Sequence, residues 1–298
     1  MELSTFLQQL INGISVGSMY GLIAIGYTMV YGVLRLINFA HGDIMMVGAF
    51  SGYLAMSVFG FSLSLSIVFA ILVSIFIGVL TDKVAYKPLR HAPRISLLIT
   101  AIGVSFFLEN IVNVIFGGTP KPFKVPEFFE QTFTIGEAIF TPLVFIVPIM
   151  TVILLVALLA LLYRTKYGIA IRALAFDIKT VSLMGIDSNK IIMYVFVIGS
   201  SMAAIGGIFW ALNYPILTPY MGVIIGLKAF AAAVLGGIGS VYGAFLGGII
   251  LGFAEVMFVA FFPEHGGYKD AIAFIFLIFV LLFRPTGIMG INFEKSRF

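Results

Sequence analysis

The sequence is 298 residues long, and 61% of its residues are hydrophobic, only 10% are charged, and the mean hydropathy is +1.15. A chain this apolar cannot bury its hydrophobic surface in a water-soluble fold, so we expect the hydrocarbon interior of a membrane to be its solvent. The net charge of +4 comes from basic residues in short loops rather than in one patch, which argues against a nucleic-acid partner, and the absence of cysteine excludes disulfides and thiolate sites.

Several apolar segments are about 20 residues long, the length that an α-helix needs to cross a bilayer. They are apolar on all sides, whereas the strands of a membrane β-barrel alternate in polarity over about 10 residues. We therefore predict an all-α, polytopic membrane helical bundle with eight to ten crossings, formed by a single domain over residues 1–298. No basic region precedes the first apolar segment, so no cleaved signal peptide is expected. The predicted spans are residues 10–33, 37–58, 61–81, 95–116, 142–163, 191–212, 222–238, 240–262 and 268–284.

Glycines recur at four-residue steps in the first predicted span and again near the end of the chain. Small residues one turn apart let two membrane helices touch along their backbones. Packing within the chain is the first interpretation, and contact with another subunit is the alternative. The spans on either side of residues 236–239 could also form one interrupted helix or a re-entrant pair. The predicted packing residues are Gly13, Gly17, Gly21, Gly239, Gly243 and Gly247, with Gly248 and Gly252 in the same pattern.

The segment INFAHGD, residues 37–43, places Asn38, His41 and Asp43 at the start of an apolar stretch. Polar side chains at membrane depth are retained when they face protein or water, which favours a role in lining or gating a pathway. The alternative is that Asn38 or Asp43 caps a helix near the membrane surface.

The distribution of Lys and Arg indicates which loops face the cytoplasm. Residues 82–94 hold four basic residues against one acidic residue, and residues 164–190 hold five against two. Both segments, and the basic tail at 285–298, are expected in the cytoplasm. The loop at 117–141 has two basic residues against three acidic ones and is expected outside. Nine crossings would put the N-terminus outside and the C-terminus inside.

Three ionisable residues stand alone within apolar spans: Glu109, Lys228 and Glu255. Each must be paired, protonated or hydrated. Lys228 is expected near a helix end with its ammonium group at the lipid headgroups. Glu109 and Glu255 are then the better candidates for a polar pathway.

Residues 164–190, between two predicted spans, are too amphipathic for lipid and predict short helices at the membrane surface. Gly168 and Gly185 mark the ends of this region, and Asp187 or Ser188 is expected to cap the helix that follows. Such a segment could be a rigid docking surface for a partner or an ordinary connecting helix.

Common catalytic motifs are absent or out of context. The sequence has neither the G-x-x-x-x-G-K-[ST] loop that holds ATP phosphates nor H-E-x-x-H. A G-x-S-x-G string centred on Ser15 lies in a predicted membrane helix, with only His41 placed to serve as a base, so an intramembrane serine hydrolase is disfavoured.

Six segments in chain order resemble the LivH-type permeases of high-affinity branched-chain amino acid ABC importers, and the resemblance covers nearly the whole chain. The segments are LIAIGYTMVYGVLRLINFAHGD (22–43), VAYKPLR (84–90), ISLLITAIGVSFFLEN (95–110), residues 164–190, KAFAAAVLGGIGSVYGAFLGGIILGFAE (228–255) and RPTGI (284–288). The family's usual A-E-D pattern reads A-F-D here, with Phe176 in place of the glutamate, so the role of that carboxylate is not carried over.

This resemblance implies a permease of the type II ABC importer class in the bacterial cytoplasmic (inner) membrane. It implies a second, LivM-like permease subunit, two cytoplasmic ATP-binding-cassette ATPases and an extracytoplasmic amino-acid-binding protein as partners. ATP and Mg would be bound by the ATPases, while this chain would hold no cofactor, metal or catalytic residue. Residues 164–190 would couple the permease to the ATPases, through Tyr167, Gly168, Arg172, Ala173, Asp177, Gly185 and Ile186.

The transported substrate stays open at this point. Branched-chain or related amino acids are favoured, and permeases for urea or short amides are similar. A secondary transporter acting alone is the alternative mechanism, because the glycine-rich stretch near residues 236–248 could belong to a broken helix at a midplane site.

Overall fold

A computed structural model describes residues 3–90, 92–284 and 286–290 of the chain. Within these residues the structure is a bundle of α-helices with a few short strands at one end. The helices are α1 (Leu3–Leu34), α2 (His41–Tyr53), α3 (Leu63–Thr81), α4 (Arg94–Phe116), α5 (Glu127–Glu130), α6 (Leu143–Arg164), α7 (Lys166–Phe176), α8 (Ile178–Leu183), α9 (Ser188–Asn213), α10 (Met221–Gly236), α11 (Val241–Phe261) and α12 (Lys269–Phe283).

Three helices have extensions of a different helical type. A π-helical turn, Leu54–Val58, lengthens α2, and a π-helical turn followed by a 3-10 turn extends α3 as far as Leu89. A 3-10 segment, Pro263–Tyr268, precedes α12. The strands form two antiparallel pairs: β1 (Lys121–Pro122) pairs with β4 (Ile216–Leu217), and β2 (Phe133–Ile135) pairs with β3 (Ala138–Phe140).

The predicted all-α membrane bundle is confirmed, because each of the nine predicted spans corresponds to a helix. Seven helical stretches in the described part of the chain are long and apolar enough to cross a membrane on their own. The other two are α10, with 16 residues, and α2 together with its π-helical turn. The segments around residues 236–239 are two separate helices that pack against each other, joined by a turn in which Gly237 has φ +109°.

The outward faces of the peripheral helices are apolar, as a lipid-facing surface requires. Phe76 on α3, Phe107 on α4 and Leu282 on α12 are each more than half exposed. In water, exposed apolar area of this extent would favour aggregation, whereas in a bilayer it contacts lipid tails.

Helix α1 runs through the centre of the bundle and packs closely against α11. A Cβ added to Gly17 would lie 2.7 Å from the Cα of Ile249, and one added to Gly13 would lie 3.0 Å from the Cα of Phe253. From the other side, Gly248 and Gly252 present their Cα atoms directly to the backbone of α1. The predicted role of this glycine repeat in close packing within the chain is confirmed.

The remaining glycines of the repeat behave in two ways. Gly243 and Gly247 pack against the backbone of α10, at Gly236 and Ala232 respectively, as expected for helix contact. Gly239 lies in the turn between α10 and α11 with φ +97°, so its assignment as a helix-packing residue is wrong. A left-handed backbone conformation explains this glycine, because other L-residues rarely adopt it.

The two ends of the bundle separate the loops as the charge distribution predicts. At one end, called here the N-terminal end, Ser4 donates a hydrogen bond to Glu137 (3.2 Å), and Gln8 donates one to the carbonyl oxygen of Ile139 (2.6 Å). These contacts place the start of α1 beside the acidic loop at 117–141.

The opposite end, called the C-terminal end, gathers the basic segments. Arg90 donates a hydrogen bond to Asn189 (2.7 Å), which joins residues 82–90 to the start of α9. The backbone N–H of Ile288 donates to Leu235 (2.9 Å), and Gly32 lies beside Gly239, so the chain after α12 reaches the same end as α1 and α10 do. Residues 291–298 of the basic tail lie outside the described residues.

Candidate transport pathway and coupling surface

A cavity of about 760 Å³ opens at the N-terminal end of the bundle. Its walls come from α1, α9, α11 and the segment before α12, and residues Thr5 and Lys269 lie on it where the bundle surface begins. Most of the polar groups lie on α1 and α9. Side chains that line the cavity include Asn12, Ser15, Tyr20, Trp210, Asn213 and Glu255.

The inner wall of this cavity is part of a buried ion network centred on Lys228. The Lys228 ammonium forms an ion pair with Glu255 on α11 and a second with Asp270 on α12 (2.5 Å). It also donates a hydrogen bond to the hydroxyl of Tyr20 on α1 (3.2 Å), and Tyr20 donates to the other oxygen of Glu255 (2.8 Å). One ammonium group therefore ties together four helices.

This arrangement overturns the expectation that Lys228 places its ammonium group at the lipid headgroups. The residue is 3% exposed and lies within α10, eight residues before the helix ends at Gly236. A buried ammonium is stable only where carboxylates and hydrogen bonds replace its hydration shell, and the network supplies both. Glu255, predicted to line a polar pathway, is 4% exposed and does lie on the cavity wall.

Asn38, His41 and Asp43 are all buried, at 1% exposure or less; Asn38 lies in the non-helical junction between α1 and α2, and His41 and Asp43 lie in the first turn of α2. Tyr86 donates a hydrogen bond to Asn38 Oδ1 (2.5 Å), and Ser105 donates one to Asp43 Oδ2 (2.5 Å). Ala40 is the N-cap of α2 and no side chain caps this helix, so the alternative in which Asn38 or Asp43 is a helix cap is wrong.

The junction lies within the bundle and apart from the cavity. The imidazole of His41 lies against Gly26 and Gly199, well inside α1 and α9, and its ring centroid is 4.6 Å from that of Tyr27. Glu109 is 4% exposed on α4, one turn beyond Ser105, and does not line the cavity either. A pathway role for these residues stays a prediction.

Ser15 and His41 are too far apart to act as a nucleophile and base. Ser15 lies on the cavity wall, whereas the His41 ring contacts Gly26, which is eleven residues further along α1. Eleven residues of helix span about 16 Å. The G-x-S-x-G string therefore belongs to the glycine packing of α1 with α11.

Residues 164–190 fold into short helices at the C-terminal end, as predicted. The Thr165 hydroxyl oxygen caps α7 by accepting from the N–H of Gly168 (3.1 Å). The Asp187 carboxylate caps α9 by accepting from Asn189 (3.0 Å) and Lys190 (3.2 Å), which confirms one of the two predicted caps.

The proposed coupling residues divide between buried and exposed positions. Gly168 is buried against the carbonyl groups of Leu161 and Leu162, and Ala173 and Ile186 are half-buried. Tyr167, Arg172 and Asp177 are exposed, and Gly185 has φ +81° in the turn after α8. The Arg172 guanidinium lies 4.8 Å above the Tyr163 ring, and Asp177 accepts a hydrogen bond from Thr180 (2.5 Å).

The most exposed apolar side chains of this segment are Phe176, Leu183 and Met184, at 75%, 88% and 77%. Phe176 ends α7, Leu183 ends α8, and Met184 follows it in the turn before α9. We call these three residues the apolar knob.

Comparison with known proteins decides the family. The family model described as the branched-chain amino acid transport system / permease component matches residues 9–281. The chain belongs to this family. It is 42% identical to the high-affinity branched-chain amino acid transport system permease protein BraD of Pseudomonas aeruginosa, over 97% of each chain. It is 41% identical to the corresponding protein LivH of Escherichia coli K12, over 96% of each chain.

A solved structure shares the fold of this permease. PsaBC from Streptococcus pneumoniae, in complex with Fab, superposes with a TM-score of 0.52 over 96% of this chain and 94% of that chain. The identity is 13%, so this likeness concerns the arrangement of helices alone.

Sequence reasoning about the permease missed several contacts that the fold creates. Asp270 lies near the start of the predicted span 268–284 and Tyr20 lies in an apolar helix, and nothing in the sequence around either residue points to a partner. Gly42 and Gly222 allow α2 and α10 to cross closely, because a Cβ on Gly42 would collide with the Gly222 carbonyl oxygen. The exposed Leu183 and Met184 had a signal: two apolar residues just before Gly185 in a basic loop.

Arg90 makes further contacts that the sequence did not indicate. Its replacement is expected to destabilise the C-terminal end of the bundle. Its guanidinium pairs with the buried Asp82 and donates to Asn189. Arg90→Lys keeps the charge but cannot serve both partners with one planar fork. We expect the apparent Tm of the purified permease to fall by about 5 °C or more for Arg90→Ala, less for Arg90→Lys, and not at all for the exposed Lys83→Ala.

Proposed function

We propose that this permease is the membrane-spanning subunit of an ATP-binding-cassette importer that moves branched-chain or related amino acids into the cytoplasm. ATP and Mg are bound by separate ATPase subunits, and this chain performs no chemical step. The apolar knob is the observation that carries the proposal beyond family membership, since a permease that works alone has no need of such a surface.

The energetics of the apolar knob favour a protein partner. Burial of an apolar side chain of this size is worth about 1.5–3 kcal/mol, so three such residues left in water represent a large unused contribution to association. The knob lies between the Thr165 cap at the start of α7 and the Asp187 cap at the start of α9, so it is joined through short connections to α6 and α9. A groove on an ATPase subunit fits this rigid, apolar and partly basic surface.

The partners proposed are a second permease subunit, two cytoplasmic ATPases and an extracytoplasmic amino-acid-binding protein. The bundle separates the acidic loop at 117–141 from the basic segments at the C-terminal end, which supports a placement with the knob in the cytoplasm and the N-terminus outside. The membrane is then the bacterial cytoplasmic membrane.

Because the chain has no cysteine, single cysteines can test this orientation directly. In sealed, right-side-out vesicles, Thr132→Cys is expected to react with a membrane-impermeant thiol reagent, and Met184→Cys only after permeabilisation. The reverse pattern would contradict the proposed placement and the coupling role together.

A charge in the apolar knob is expected to weaken the complex with the ATPases without unfolding the permease. Leu183→Asp removes about 2 kcal/mol of apolar contact, which corresponds to about 30-fold weaker binding of the ATPase subunits. The measurements are co-purification of the ATPases and ATP-dependent uptake of radiolabelled leucine by proteoliposomes. Phe128→Asp, at an exposed apolar residue of the opposite end, is the matched control and should leave co-purification unchanged.

Full ATPase binding and uptake by Leu183→Asp would refute the coupling surface. Uptake of leucine by the permease alone, driven by an ion gradient without ATPase subunits, would refute the assignment to an ATP-driven complex and favour a secondary transporter.

A further inference from the structure

We propose that the cavity at the N-terminal end binds the zwitterionic head group of a free amino acid. This proposal rests on the proposed function and adds a binding site for the substrate within this chain. The ammonium group of the amino acid is held at Glu255 and Tyr20 on the inner wall, and its carboxylate faces the amides of Asn12 and Asn213 and the ammonium of Lys269.

The inner wall supplies the negative charge. Lys228 is shared between two carboxylates, Glu255 and Asp270, so the network carries an excess of one negative charge. Water screens this charge poorly inside a membrane protein, and a cation that reaches the cavity is attracted to it. Glu255 is only 4% exposed, but it lines the cavity wall. The attraction of its carboxylate for a cation therefore acts inside the cavity.

The outer part of the cavity supplies the complementary groups. Lys269 and the side-chain amides of Asn12 and Asn213 are hydrogen-bond donors that suit a carboxylate. Ser15, also on the wall, has a buried hydroxyl without a hydrogen-bond partner in the described part of the protein. A zwitterion offers an ammonium group to Glu255 and a carboxylate to Lys269 at the same time, whereas neutral urea has neither charged group.

The cavity also suits an aliphatic side chain. Its volume of about 760 Å³ is typical of small-molecule sites. Trp210 on its wall lies between two tyrosines, with ring centroids 5.8 Å from Tyr20 and 4.6 Å from Tyr214. Val256 and Val259 of α11 add apolar surface nearby. These side chains can contact the aliphatic side chain of an amino acid, in addition to the charged groups that contact its ammonium and carboxylate.

Protection of a single cysteine by ligand tests the proposal in the complete transporter reconstituted in proteoliposomes, without binding protein. Thr141→Cys lies on the cavity wall, and Thr132→Cys lies on the same end outside the cavity. With L-leucine at about three times its Kd, the reaction of Thr141→Cys with a thiol reagent should slow about fourfold, because only free protein reacts. The reaction of Thr132→Cys should not change.

The chemistry of the ligand is tested with isopentylamine, which lacks the carboxylate, 4-methylpentanoate, which lacks the ammonium, and urea. None of the three should protect as leucine does, and equal protection by any of them would overturn the assignment to a zwitterion. Glu255→Gln in the Thr141→Cys background should abolish protection by leucine, while Glu127→Gln, an exposed carboxylate in the loop at 117–141, should preserve it.

If Glu255→Gln does not fold, Asn213→Leu provides the same test at the carboxylate side of the site and should also abolish protection. Absence of protection in a transporter that still imports leucine would overturn the binding site and leave the proposed function intact. A transporter that imports no amino acid, with its partners present, would instead overturn the proposed function.

Discussion

A leucine at Gly252 is expected to prevent the permease from forming a stable bundle. A Cβ at this position would collide with the backbone N and Cα of Gly17. These atoms belong to α1, the central helix, and cannot rotate away as the end of a side chain would. Overpacking usually costs about 1–3 kcal/mol, and a clash with backbone lies at or above the upper end of this range.

The measurement is the fraction of full-length protein that elutes as a single species after detergent extraction, together with its apparent Tm. Gly103→Leu is the matched control, because Gly103 also lies within a membrane helix but a Cβ there meets no atom within 4 Å. Gly103→Leu should be at least as stable as the wild type, since leucine is the better helix former. Similar behaviour of the two variants would show that α1 and α11 are not in close contact.

The helices could be predicted from the sequence because lipid imposes one solution on the backbone. Hydrocarbon offers no hydrogen bonds, so each long apolar segment must satisfy its own N–H and C=O groups as a helix. The predicted boundaries agree with the structure to within a few residues at α4, α6 and α11. The glycine spacing identified the α1–α11 contact for a similar reason, since only small residues allow backbones to touch.

The junction at residues 35–40 could not be predicted from hydropathy. A window average over residues 37–58 describes one apolar span, whereas the chain is non-helical until His41 and starts its helix inside the bundle. What holds this junction is the pairing of Asn38 with Tyr86 and of Asp43 with Ser105, contacts across 48 and 62 residues of sequence. Local periodicity carries no information on such pairings.

The ion network shows the same limit for charges. A lysine near a helix end can extend its ammonium group to the lipid headgroups and so avoid the free-energy cost of burying an unpaired charge. For this reason the sequence alone favours the headgroup position for Lys228. Only the packing of α10 against α11 and α12 brings Glu255 and Asp270 to it, 27 and 42 residues further along the chain. The position of Lys228 within α10 and the helices that its side chain contacts are determined by tertiary packing, which local sequence does not reveal.

Lys228→Met is expected to destabilise the permease by about 3–5 kcal/mol, the cost of leaving a buried ion pair without one partner. Methionine matches the length of the lysine stem, so packing is nearly kept while Glu255 and Asp270 are left as neighbouring carboxylates without a counter-ion. The apparent Tm and the yield of folded protein should both fall. Lys124→Met removes an exposed lysine at the N-terminal end and should change stability by no more than about 0.5 kcal/mol.

Neutralising the carboxylates separates the charge effect from the packing effect. In the triple variant Lys228→Met, Glu255→Gln, Asp270→Asn no unpaired charge remains, so much of the lost stability should return, because a neutral replacement of a buried ion pair is often close to neutral in free energy. Tyr20 can still donate its hydroxyl proton to the amide oxygen at position 255. A triple variant no more stable than Lys228→Met would show that the lysine acts through packing rather than through its ion pairs with Glu255 and Asp270.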